Sequence, residues 1–108
     1  MKLLKDNEEI SLSGQEAVDI LVDIEYVLIS LRDIARYYYD EASGDISIER
    51  RKLYCEETTK FIDENEITNK LAKIREVITN KFNLDLGEDD MDDIERVLEG
   101  VNYWKPKG

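Results

Sequence analysis

Between Gln15 and Ala42 the apolar residues Ala17, Ile20, Leu21, Ile24, Leu28, Leu31, Ala35 and Tyr38 recur three and four positions apart, the spacing of one face of an α-helix. Ser13 precedes this run and Glu16 follows three residues later, the pattern of a capping box that closes two free backbone amides at a helix start. A second helix is expected from Ser47, with Ile48, Tyr54, Cys55, Thr58, Phe61 and Ile62 on one broad arc and Cys55 as a small core residue. Ile67, Leu71, Ile74 and Ile78 repeat with spacing 4, 3, 4 and predict helical structure ending near Phe82. The polar stretch 63–66 leaves open whether residues 47–82 form one helix or two. A last helix is expected from about Asp89 to Glu99, with Met91, Ile94, Leu98 and Val101 inward and Gly100 at its C-terminal cap. Ahead of all of these, residues 2–4 and 10–12 flank Asp6 and Asn7 and could pair as a small hairpin.

The fold class that follows is all-α or mostly α: a three- to four-helix bundle with a long first helix and room for a small N-terminal β-hairpin. With 108 residues, of which 42% are hydrophobic, a single domain with one modest core is expected. The glycines lie at or near segment edges, and the one proline is Pro106.

The first helix carries more apolar surface than one face requires. Val18, Val22, Tyr26 and Ile29 form a second stripe with spacing 4, 4, 3, and a helix apolar on two sides must be covered on both. The cover is either the remaining helices or another molecule, including a second copy in a homodimer through helix one. Near the end of this helix stand Tyr37, Tyr38 and Tyr39; at 100° per residue they cannot all face one core, so at least one is expected at the surface. Tyrosine suits binding surfaces because it combines area, rigidity and a hydroxyl group.

Charge narrows the function. Twenty-six acidic residues against fifteen basic ones give −11, which disfavours direct contact with nucleic acid or an anionic membrane. No apolar run approaches the roughly 20 residues that span a bilayer, and the N-terminus lacks a signal-peptide core, so a cytoplasmic protein is expected. The lone Cys55 is consistent with a reducing compartment. With no histidine in the chain, Ser-His-Asp and Cys-His catalysis and imidazole metal ligation are excluded. Phosphate-cradling glycine loops are absent as well. An EF-hand reading of the segment around Gly44 fails, because it puts Tyr39 and Arg50 where the two terminal carboxylates must stand. The paired Glu56-Glu57 and the spaced Glu16 and Asp19 occur in the reverse order to the magnesium sites of helical pyrophosphohydrolases. The expectation is a protein that is not an enzyme and needs no cofactor or metal.

The segment LGEDDMDDIE holds six carboxylates in ten residues. A helix start stabilises two or three of them by about 0.3 to 1 kcal/mol each, which leaves others that repel. Carboxylates one helical turn apart, roughly 5 to 6 Å, approximate the spacing of successive phosphates along a DNA strand and can occupy a basic groove. Small acidic proteins without a catalytic set are similar in general type to phage-encoded inhibitors of host defence nucleases, anti-CRISPR proteins among them; the likeness is one of size and charge. The expected partner is therefore a protein with a basic surface, such as a nuclease or another nucleic-acid-binding protein. The expected partner-binding residues are Asp19, Asp23, Tyr37, Tyr39, Asp85, Glu88, Asp89, Asp90, Asp92, Asp93 and Glu95. Alternatives are a structural or regulatory homodimer, or an immunity or antitoxin protein.

Overall fold

The computed structural model describes residues 2–40 and 42–108. Four α-helices follow a short 3-10 turn at Lys5–Asn7: α1 (Gly14–Tyr38), α2 (Ile48–Glu64), α3 (Ile67–Thr79) and α4 (Asp93–Glu99). The class is mostly α, and α1 is the longest helix at 25 residues. Among the described residues there is no strand, so the N-terminal hairpin does not form. Asn7 is instead drawn into a buried polar cluster, described below, that a flat hairpin would not deliver. The chain divides into two compact units: Ser13–Arg75, and the N-terminal residues through Leu12 together with Glu76–Gly108.

In the first unit, α1 starts at the expected capping box. Ser13 accepts from the Glu16 amide at 3.0 Å, and Glu16 accepts from the Ser13 amide at 3.0 Å. It stops at Tyr38 rather than running to Ala42, because the Asp40 carboxylate takes the amides of Ala42 and Ser43 and folds the backbone into a turn. Gly44, at φ +73°, completes that turn and donates to the Asp40 carbonyl at 2.7 Å. Ser47 caps α2 as expected by accepting from the Arg50 amide at 3.2 Å.

The stretch 63–66 breaks the chain. Asn65 ends α2 with both its backbone and side-chain amides on the Phe61 carbonyl, and Glu66 takes φ +50° before α3 begins. Residues 47–82 are thus two helices. Ile67, the first residue after the break, is the buried hydrophobic residue of the described chain, 5% exposed.

α1 and α2 pack against each other, and the half-buried positions of α1 include Ala17, Ile20, Ile24, Val27, Leu31, Ile34 and Tyr38. Their 3, 4, 3, 4, 3, 4 spacing is that of a helix–helix seam. Leu21 and Leu28, expected on the inward face, are instead 56% and 58% exposed, and Val27 and Ile34 take their place. On α2 the half-buried positions are Tyr54, Thr58, Phe61 and Asn65, while Ile48 and Cys55 are exposed. The expected arc was too broad: α2 meets its neighbour along a narrow line, and a residue one position off that line points to solvent.

The second unit is organised by α4. Asp92 caps it by accepting from the Glu95 amide at 2.8 Å, and Glu95 reaches back to the Asp92 amide. The helix therefore starts at Asp93, four residues later than expected, and Gly100 stands at its C-cap. Met91 and Ile94 are half-buried as expected, but Leu98 and Val101 are each 44% exposed.

Candidate functional site

The acidic run folds around one guanidinium. Arg96 donates from Nε and Nη2 to the two oxygens of Asp89, each at 2.7 Å, from Nη1 to Asp93 at 2.6 Å, and again from Nη2 to the Met91 carbonyl at 3.0 Å. Planar two-point pairing of this kind is the strongest arrangement an arginine makes with a carboxylate. The backbone closes the loop: the Gly87 amide donates to the Met91 carbonyl at 2.9 Å, and Asp90 adopts φ +60°. A Cβ at Gly87 would lie 2.7 Å from Arg96 Nη2 and 3.2 Å from an Asp89 oxygen, so a larger residue there would have to displace the guanidinium.

Asp93 is 1% exposed and acts as the hub of the second unit. Its Oδ2 accepts from the Leu4 amide and from the Asn7 side chain, both at 2.8 Å, while Oδ1 takes Arg96. Asn7, 3% exposed, also exchanges hydrogen bonds with the Asn83 backbone in both directions, at 2.9 and 2.7 Å. The Asn7 side chain first, then the Leu4 amide and Arg96, hold the Asp93 carboxyl below the usual aspartate range. Hydrogen bonding from Arg96 does the same for Asp89, and the two carboxylates raise Arg96 in return.

A pH dependence follows. Both carboxylates are more acidic folded than unfolded, so their stabilisation is complete above the ordinary aspartate value of about 4 and is lost as the pH falls through the lowered native values. Amide exchange of the Leu4 and Asn83 N–H groups at pH 6 and at pH 3 should show their protection falling on acidification. Equal protection at both values would contradict the arrangement.

At the junction of α1 and α2, Arg50 collects the tyrosines. Its guanidinium lies 5.7 and 5.4 Å from the ring centres of Tyr37 and Tyr38 and donates to the carbonyls of both residues. Tyr39 packs edge-on against Tyr54 at 5.4 Å. Tyr37 is the exposed member of the trio, at 72%. Tyr37 and Tyr38 also line a shallow hollow with Asp33, Ile34 and Glu57.

The outward side of α1 is the third feature. Val18, Leu21, Val22, Leu28 and Ile29 are 40–61% exposed, and no residue of this 25-residue helix is buried. Of the second stripe read from the sequence, only Tyr26 is engaged: its hydroxyl donates to Asn65 Oδ1 at 2.9 Å, and its ring lies near Phe61 and Lys70.

The eleven residues expected to bind a partner are thus dispersed. Asp89, Asp92, Asp93 and Glu95 all spend carboxylate oxygens on hydrogen bonds within the chain; Asp89 and Glu95 stay exposed, while Asp93 is buried and cannot present itself to a partner. Asp85, Glu88 and Asp90 are exposed, with no carboxylate hydrogen bond or ion pair among the described residues, and they precede α4 rather than lining it. Asp19 accepts from Gln15 at 2.8 Å, and Asp23 is half-buried on α1. Sequence reasoning missed Asn7 and Arg96 as organising residues. Arg96 had a signal, as the single base among the eight acids of residues 85–99. Asn7 had none, since its partners lie 76 and 86 positions away.

No group of three or more potential metal-ligating side chains converges among the described residues, and no helix there is long and apolar enough to cross a membrane. No protein-family model, curated protein or solved structure matches the chain.

Proposed function

We propose that this chain is a non-catalytic protein-interaction module, of adaptor or inhibitor type, that docks through the outward face of α1. The observation that carries this reading is the row Val18, Leu21, Val22, Leu28 and Ile29, which stands half in solvent along one side of the longest helix. Completing the burial of each such side chain gains about 1 kcal/mol, roughly half the value for a fully exposed one. An exposed apolar row of this size, with Glu25 and Arg32 set among its residues, is the usual mark of a protein contact. The acidic run supports a phosphate-mimicking role less well, because four of its six carboxylates bond within the fold, which leaves Glu88 and Asp90, with Asp85 just before the run, outward. Those three, with Asp19, add a long-range attraction towards basic partners that would affect encounter more than the lifetime of the complex.

The test is comparative capture. Partner proteins retained by the parent chain from a lysate should be lost from a Val22→Lys/Leu28→Lys variant and kept by an Asp85→Asn/Glu88→Gln/Asp90→Asn variant. The opposite result would assign binding to the acidic turn.

A further inference from the structure

We infer that the occupant of the outward face of α1 is a second copy of this chain, lying antiparallel across it about a two-fold axis near Leu28 and Ile29. This deepens the docking reading above and rests on it. The charges within the stripe are bipolar: Glu25 occupies its middle, and Arg32 and Arg36 follow one and two turns beyond Leu28, all exposed. Among the described residues Glu25 has no ion pair, and Arg32 reaches only its neighbour Asp33, at 3.7 Å. Seven positions separate Glu25 from Arg32, about 10 Å along the axis, too far to pair within one helix.

Turning a second α1 end for end so that Leu28 faces Ile29 brings Glu25 of each copy opposite Arg32 of the other. A surface whose acid and base are exchanged by a two-fold rotation complements itself, which is the condition for an isologous dimer. In the same register Leu28 of each copy packs on Ile29 of the other at the centre, with Leu21 and Val22 two turns away. The patch and its charged flank on both copies amount to on the order of 1,000 Å² of buried surface, the lower limit for a specific complex. A concentration-dependent dimer is therefore expected. Each copy carries −11, so the association should strengthen when salt screens the charge outside the stripe.

Sedimentation equilibrium of the full chain, at low and moderate salt, tests this directly. The expected result is a monomer–dimer equilibrium of the 12.6 kDa chain. Glu25→Arg and Arg32→Glu should each weaken it by roughly tenfold or more, and combining them should restore it. In a Cys55→Ser background, Leu28→Cys should form an intermolecular disulfide readily and Val18→Cys should not, which fixes the antiparallel sense. A monomer at every concentration would overturn the second copy as occupant, and so would charge reversals without effect or without mutual rescue. The docking reading itself fails separately, if the lysine substitutions on the stripe leave both self-association and capture of other proteins unchanged.

Discussion

Replacing Asn7 with alanine should destabilise the unit formed by the N-terminal residues and Glu76–Gly108 by about 2 to 4 kcal/mol, the range for stranding buried hydrogen-bonding groups. The side chain is 3% exposed and makes three hydrogen bonds: one to Asp93 and two with the Asn83 backbone. Its removal strands the Asn83 amide and takes away the largest hydrogen-bonding influence on the Asp93 carboxylate. Amide exchange at Leu4 and Asn83 is the appropriate readout, because it reports this unit alone. Protection equal to that of the parent would show that water replaces the side chain at little cost. Converting Asp93 to asparagine should give a loss of the same kind. An amide presents only one acceptor oxygen where Leu4, Asn7 and Arg96 now share two, so a change that would leave an exposed acidic helix face intact should here loosen the fold.

The second large effect is expected at Ile67. It is 5% exposed and follows the break at Asn65 and Glu66, so Ile67→Ala should open a cavity and cost about 2 to 4 kcal/mol in the Ser13–Arg75 unit. Leu71→Ala, four residues on and 49% exposed, should cost far less. Chemical denaturation of the two variants checks the contrast; similar losses would mean that the burial of Ile67 contributes little.

Local rules were enough to read where α1 and α2 begin, though not α4, which starts four residues later than expected. Ser13 with Glu16 and Ser47 cap helices where a hydroxyl before an apolar run predicts it, because a cap is made by residues three apart. Helix ends and faces were less legible. Asp40 ends α1 through its own carboxylate, in competition with an apolar pattern that would continue to Ala42. Leu21 and Leu28 fit the same 3-and-4 spacing as the residues that turn inward, and only the position of α2 decides between neighbouring registers. The acidic run is the clearest case. Its composition suggested a binding face, yet Asp89, Asp92, Asp93 and Glu95 are used for an arginine clamp, a helix cap and a buried hub whose partners come from the other end of the chain.

The central claim is that the side chains on the outward face of α1 are ready for a partner and are not needed by the folded chain. Thermal unfolding of Val22→Lys/Leu28→Lys at a concentration low enough to keep the chain monomeric tests it most directly. The two residues are 61% and 58% exposed, so the melting temperature should stay within a few degrees of the parent, as for ordinary surface substitutions, while association at high concentration is lost. A drop of roughly 10 °C or more in the dilute monomer would show that these side chains belong to the core, and the face would then not be a docking surface.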